Sequence, residues 1–105
     1  MKVKIFQVKD IDNCDYAFRP YNQNCFNPSH YKEVYSFDTP PCLDCDAEDL
    51  VEHLFTMFQH DNPRLQVQHP TFTGHSMSVS DVVKVDSQCY YVLPVGLARL
   101  NDNIL

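Results

Sequence analysis

One stretch of the sequence has the pattern of an amphipathic α-helix, and segments on both sides of it have the pattern of β-strands. Within residues 46–60, apolar side chains recur at the spacing that lines one side of a helix: Leu50, Val51, Leu54, Phe55 and Phe58. Asp46 is a favourable N-cap, and Asn62-Pro63 is expected to end the helix. This stripe restricts the fold, because it must be buried against another element.

Two segments before the helix are predicted to form strands. Residues 3–8 alternate and carry apolar groups on both faces, which is typical of a strand inside a sheet. Residues 31–37 form the second predicted strand, and alternation places four of its side chains on one face: Tyr31, Glu33, Tyr35 and Phe37. The long connection over residues 10–30 is rich in aromatics, which we expect to pack it against the core.

The chain after the helix also has the pattern of β structure. Residues 76–80 alternate serines with apolar residues, and a tight turn or bulge is expected at Ser80-Asp81. Residues 82–85 and 89–93 are predicted to pair as a hairpin around a turn at 86–88. The predicted fold is α+β, a mainly antiparallel sheet of about four strands with one main amphipathic helix packed on one face. The 105 residues suit a single domain over 1–105.

Composition excludes several classes of function. The chain has two glycines and lacks both GxGxxG and GxxxxGK(S/T), so a phosphate-cradling loop is not expected. Hydrophobic residues make up 44% of the chain, enough for a core without disulfides or metal. The first residues do not resemble a signal peptide, and no apolar run is long enough to cross a membrane. We therefore expect a cytoplasmic protein of a bacterial host, with reduced cysteines and no cofactor.

The negative charge is concentrated in one part of the sequence. The net charge is −6, and residues 10–52 hold ten acidic residues against Arg19 and Lys32. Such a distribution disfavours direct binding to nucleic acid and favours a basic partner, although an ordinary solvated surface would also explain it. The candidate acidic patch consists of Asp38, Asp44, Asp46, Glu48, Asp49 and Glu52.

Cys42 and Cys45 form a CxxC pair just before the predicted helix. Alone, such a pair is half of a zinc site, since structural zinc takes four ligands, and no second pair has regular spacing. A redox role would need a strand of a βαβ unit before the pair, which the sequence does not indicate. Ordinary thiols are the preferred interpretation. A small zinc-binding regulatory or scaffold protein is the alternative function.

His75, its neighbouring serines and Asp81 contain the residue types of a nucleophilic triad. Adjacent residues on a strand point to opposite faces, so the side chains of His75 and Ser76 are not expected to meet. Hydrogen bonds from the serines and Asp81 to the backbone of a turn are the simpler interpretation. A cysteine–histidine nucleophile also lacks any local signature. The sequence therefore predicts a protein that is not an enzyme.

Residues 72–83, Phe-Thr-Gly-His-Ser-Met-Ser-Val-Ser-Asp-Val-Val, resemble the characteristic segment of the YodL-like domain family. Weaker similarities lie at Ile5–Asp10, Phe18–Tyr21, Tyr31–Tyr35 and His69-Pro70, so the resemblance extends over most of the chain. The residues of the characteristic segment for which a structural role is expected are Gly74, His75, Ser76, Ser78, Ser80 and Asp81.

The resemblance implies a genomic setting. Such domains are similar to small accessory proteins of plasmids and conjugative elements, and some small proteins of these elements are anti-CRISPR inhibitors. Together with the charge, this gives the functional hypothesis: a protein-binding inhibitor of a host defence nuclease. Its partner would be a basic nucleic-acid-binding protein, specifically a Cas9-type nuclease or its guide-bound complex, met by the acidic patch.

Overall fold

The computed structural model describes residues 1–22, 25–40 and 46–100. Within these ranges one antiparallel sheet has five strands: β1 Lys2–Val8, β2 Tyr31–Asp38, β3 Val82–Val85, β4 Gln88–Val92 and β5 Leu97–Arg99. The α-helices of this part are α1, Ala47–Met57, and α2, Pro63–Gln68, and none of its helices is long and apolar enough to cross a membrane. The α+β class and the antiparallel sheet are confirmed, with five strands where about four were predicted.

β1 lies inside the sheet, as its two apolar faces predicted, because the strand order is β2-β1-β3-β4-β5. Val3 and Ile5 face the helix-side core, which α1, α2 and the chain after α2 complete. Phe6 and Val8 face the opposite, loop-side core, which residues of the described parts of the connection, 10–22 and 25–30, cover. The sheet is therefore buried on both faces, and this explains the lack of a polar face on β1.

The loop-side core is largely aromatic. The predicted packing of the 10–30 connection is confirmed, since Tyr16 is buried there and Tyr21 and Phe26 pack against the same cluster. The Tyr21 ring meets the Tyr91 ring edge-on at 5.2 Å, and Phe26 lies 5.4 Å from Tyr31. Aromatic contacts of this kind add to the burial energy, so the connection is held by its own side chains.

Helix α1 begins where predicted and ends earlier. The Asp46 side chain accepts a hydrogen bond from Asp49 N at 2.9 Å, so the predicted N-cap is confirmed. The helix ends at Met57, because Phe58 adopts a non-helical conformation and its carbonyl accepts from Met77 N. Phe55, assigned to the buried stripe, is 36% exposed, and Met57 is buried instead.

A second helix, α2, was not predicted. The Asn62 side chain accepts a hydrogen bond from Arg64 N, and Pro63 is the first helical residue. Asn-Pro therefore acts as a cap and first residue of a new helix as well as a break from α1.

A β-bulge in β2 overturns the predicted common face of Tyr31, Glu33, Tyr35 and Phe37. Ile5 pairs with Tyr35 but Phe6 pairs with Glu33, so Val34 is an extra residue between these pairs. An extra residue reverses the alternation of side chains along a strand. As a result Tyr31 enters the loop-side core, whereas Tyr35 and Phe37 pack against the helix-side core.

Residues 76–80 do not form the predicted strand. Met77 N donates to Phe58 O and Ser80 N donates to Val92 O. This segment therefore forms isolated backbone hydrogen bonds to different parts of the chain, and not the regular series of hydrogen bonds that pairs two strands. The predicted turn at Ser80 is confirmed, with Ser80 at a φ of 80°. The predicted hairpin is also confirmed, since β3 and β4 pair across Asp86-Ser87. β5, which was not predicted, follows a turn that places Gly96 at a φ of 78°.

We predict opposite outcomes for two neighbouring phenylalanines. Phe58 is fully buried, with ring contacts to His69 at 4.8 Å and Phe72 at 4.9 Å, so Phe58→Ala is expected to lower the free energy of unfolding by about 3–5 kcal/mol. Phe55→Ala is the matched control, and we expect a loss below about 1 kcal/mol. Urea unfolding measures both, and equal losses would contradict the described position of Phe55.

Candidate functional site

The Gln7 side chain joins β1 to the segment of residues 74–81, here called the family segment. Gln7 is 1% exposed, and its Nε2 donates to His75 O at 2.8 Å and to Asp81 Oδ2 at 3.1 Å. Its Oε1 accepts from His75 N at 3.1 Å. A Cβ on Gly74 would lie 2.6 Å from that oxygen, so glycine allows this close approach. The buried amide is therefore fully used in fixing the family segment.

Ser80 ties the family segment to the aromatic connection. Its Oγ accepts from Phe18 N at 2.8 Å, and its carbonyl accepts from the Tyr31 hydroxyl at 2.6 Å. Nearby, the Tyr91 hydroxyl donates to Arg19 O at 2.7 Å. The backbone at Phe18-Arg19 is therefore attached to the core by these hydrogen bonds, although the Phe18 side chain itself is exposed.

The other polar residues of the family segment also bond within the fold. His75 Nδ1 donates to Ser76 O at 2.7 Å, and Ser76 Oγ accepts from His60 N at 2.8 Å. Ser78 Oγ donates to Ser76 O, while Ser78 N donates to Asp81 Oδ2 at 2.9 Å. Across the described residues, no hydrogen bond joins a serine hydroxyl or Asp81 to the His75 ring. Ser76 and Asp81 therefore occupy structural positions beside His75, without the contacts of a triad.

Asp81 is buried with few compensating interactions. Burial raises its pKa to about 7, while hydrogen bonds from Ser78 N and Gln7 oppose that rise. The unfolded group, with its ordinary pKa near 3.8, ionises at much lower pH. The protonated form is thus favoured in the folded state, and its stabilising effect is lost as pH rises towards 7.

The acidic patch is assembled in part. Asp46, Glu48, Asp49 and Glu52 are exposed on α1 and its N-cap, and we call these four residues the acidic face. Asp38 lies at the end of β2 and contacts Lys2 Nζ at 4.0 Å. Asp44 lies outside the described residues. In the described part of the chain no cation forms an ion pair with the acidic face, so its charge is not neutralised there.

An apolar groove adjoins the acidic face. A cavity of about 220 Å³ lies between Glu52 and Phe55 of α1 and the segment from Val92 to Leu97. Val95, in the same turn, is 89% exposed. Sequence reasoning missed this groove, because Phe55 fitted the buried stripe and β5 was not predicted. The acidic face therefore borders exposed apolar side chains that could pack against a partner.

The CxxC pair, for which zinc binding was the alternative to ordinary thiols, lies outside the described residues. Cys42 and Cys45 lie outside the described residues, whereas Cys14 and Cys25 are free thiols. Within residues 1–22, 25–40 and 46–100, no group of three or more histidine, cysteine or acidic side chains is arranged to hold a metal ion. Both interpretations of the CxxC pair, ordinary thiols and the alternative of zinc binding, stay untested.

Gln7 is the residue of the buried network that sequence reasoning did not select. The available signal was a polar residue on the same face of β1 as Val3 and Ile5. A polar side chain on a buried face needs hydrogen-bonding partners, which would have directed attention to the polar residues of the family segment.

The raised pKa of Asp81 predicts a pH effect that Asp81→Asn removes. Asn keeps an oxygen that can accept from Gln7 and Ser78 N but does not ionise. Between pH 5 and 7.5, the free energy of unfolding of the wild type should fall by about 2 kcal/mol more than that of the variant. Urea unfolding at both pH values measures the difference, and other titrating groups cancel. Parallel pH profiles would show that Asp81 is ionised throughout this range.

The comparisons with known proteins assign the chain to a family. It is 28% identical over 112 residues to an uncharacterized protein of Acanthamoeba polyphaga mimivirus, covering 98% of this chain and 95% of that protein. No solved structure matches the chain. The family model of the YodL-like domain matches residues 2–102, which include the Gln7 side chain and the whole segment that it fixes. The chain is therefore a member of the YodL-like domain family.

Proposed function

We propose that this protein binds a basic surface on another protein through the acidic face of α1, and that the partner is a Cas9-type nuclease whose activity it inhibits. The observation that carries the proposal is the exposed acidic face, which has no ion-pair partner among the described residues. The nucleic-acid channel of such a nuclease is positively charged and therefore complementary to a cluster of carboxylates.

The position of the acidic face supports this role. Glu48 and Glu52 are four residues apart, and Asp49 and Glu52 three, so these side chains are neighbours on the helix surface. Like charges at these spacings oppose each other by a few tenths of a kcal/mol per pair. Cations on a partner would relieve this repulsion, and burial of Val51 and Leu54 holds the helix on the sheet.

The groove beside Glu52 supports a protein partner in particular. Charge attraction alone gives fast but salt-sensitive association, whereas apolar contacts at the centre of an interface stabilise the bound complex. Phe55 and Val95 offer such contacts within reach of the acidic face. A partner surface with both basic and apolar side chains fits this arrangement better than a nucleic acid does.

Neutralising the acidic face tests the proposal. In a variant with Glu48→Gln, Asp49→Asn and Glu52→Gln, we expect at least tenfold weaker inhibition of DNA cleavage by a guide-loaded Cas9-type nuclease. Asp46 is left in place because it caps α1. The matched control carries Asp12→Asn, Asp15→Asn and Asp61→Asn, which change the net charge equally at exposed positions elsewhere. Cleavage assays and direct binding by interferometry measure both variants.

Two results would count against the proposal. Absence of binding and of inhibition by the wild type would exclude this nuclease as the partner. Equal weakening by the control variant would exclude the acidic face as the contact surface and leave only an effect of net charge.

The affinity should also depend steeply on salt. Exposed charges interact over a Debye length of about 10 Å at 0.1 M salt, which shortens to about 3 Å at 1 M. We expect the association rate to fall at least tenfold between 50 and 500 mM NaCl, and the dissociation rate to change less. An association rate independent of salt would contradict an electrostatic contact.

A further inference from the structure

A second cavity, of about 360 Å³, opens where the end of β1 and the start of β2 meet the family segment. The lining residues that matter for its chemistry are Gln7, Lys9, Lys32, Glu33, Gly74 and His75. None of them belongs to the acidic face or its groove. The cavity falls within the size range of sites for small molecules, at the lower end.

Two lysines meet at this cavity without a carboxylate partner. Lys32 pairs across the strands with Gln7, and Lys9 N donates to His30 O, so Lys9 and Lys32 are diagonal neighbours on one face. Within the described residues neither forms an ion pair, whereas Lys2 and Lys4 of β1 contact Asp38 and Glu33. The chain has a net charge of −6, so two neighbouring ammonium groups without an ion-pair partner among the described residues form a locally positive site. An anion bound between them would form favourable charge-assisted hydrogen bonds.

The carboxylate on the cavity wall does not cancel these charges. Glu33 is the acidic residue among the lining side chains, and its Oε1 lies 3.6 Å from Lys4 Nζ. Asp81 is a buried acid that accepts a hydrogen bond from the Gln7 amide, and it does not line the cavity. The wall therefore carries a net positive charge from Lys9 and Lys32.

His75 adds an oriented imidazole to the wall. Its Nδ1 donates to Ser76 O, and its ring meets the Phe18 ring edge-on at 6.1 Å. Gln7 holds the His75 backbone from both sides through its amide nitrogen and oxygen. Nε2 forms no hydrogen bond to any described residue, so it stays available to a ligand. A ring held in this way loses little freedom on binding.

We propose that this cavity binds a small molecule bearing a phosphate or carboxylate group, held by Lys9, Lys32 and His75. Ammonium groups form short, charge-assisted hydrogen bonds to oxyanions. The His75 imidazole, whose Nδ1 holds the proton, can accept at Nε2 a hydrogen bond from a hydroxyl of the ligand, such as that of a singly protonated phosphate. A long nucleic-acid strand is disfavoured, because the chain as a whole repels it. This proposal is independent of partner binding by the acidic face.

The test is an NMR titration of the full chain at low ionic strength with inorganic phosphate, succinate, adenosine monophosphate and adenosine. We expect saturable shifts of the Gly74 and His75 amides with adenosine monophosphate at millimolar concentration, and none with uncharged adenosine. Binding by phosphate but not succinate would assign a phosphate ligand, and the reverse a carboxylate. No saturable shift with any anion up to 50 mM would overturn the proposal.

Variants locate the binding. Lys9→Gln and Lys32→Gln should each raise the dissociation constant by about three- to tenfold, because each removes one charged contact. Lys2→Gln is the matched control, because it makes the same change of charge on β1 at a residue that does not line the cavity, and it should alter the constant less than about twofold. Equal effects of the three substitutions would indicate general attraction of anions and overturn the site. So would a single-stranded hexanucleotide that binds over a hundredfold more tightly than the monophosphate.

Discussion

The buried amide of Gln7 is the constraint on which the rest of the structure depends. A polar side chain inside a sheet is destabilising unless each of its groups is hydrogen-bonded. Gln7 meets this requirement with His75 and Asp81, neither of which belongs to a helix or strand. The strand in the middle of the fold therefore positions a segment that has no regular hydrogen-bond ladder of its own.

Two cores follow from that position. Phe72 and Met77, on either side of His75, are buried in the helix-side core. Ser80 faces the other way and binds Phe18 N and the Tyr31 hydroxyl, which holds the aromatic connection over the opposite face of the sheet. The hydrogen bonds of Gln7 thus fix a segment whose residues contact the coverings of both faces, and this is a physical reason for the similarity over the family segment.

The charged groups that could contact a partner lie on the surface of the protein. The serines and Asp81 bond within the fold, whereas the carboxylates of α1 point to solvent beside an apolar groove, and Lys9 and Lys32 line a cavity of opposite charge. These two features differ in the partner each would attract: a basic protein surface for the acidic face and a small anion for the cavity. Neither requires a reactive group in the interior.

The sequence predicted elements that have strong local signals. Asp46 as a cap, alternation in β1 and the turn at Asp86-Ser87 depend on neighbouring residues, so they could be read directly. The bulge at Val34 could not, because it arises from pairing with β1, and β5 has three residues, too few for a pattern. The alternation of serines in residues 76–80 wrongly predicted a strand, because these polar groups form tertiary hydrogen bonds and do not pair with a neighbouring strand. The groove at Phe55 depends on β5 and was missed for that reason.

Native-state hydrogen exchange of the Ser78 and His75 amides tests the central claim most directly. Both lie outside helices and strands, yet they donate to Asp81 and Gln7 side chains that are buried. We predict protection approaching that of the β1 amides, because these hydrogen bonds should open only when the core does. Exchange as fast as that of the amides of the exposed residues Val95 and Gly96 would contradict a family segment fixed by Gln7.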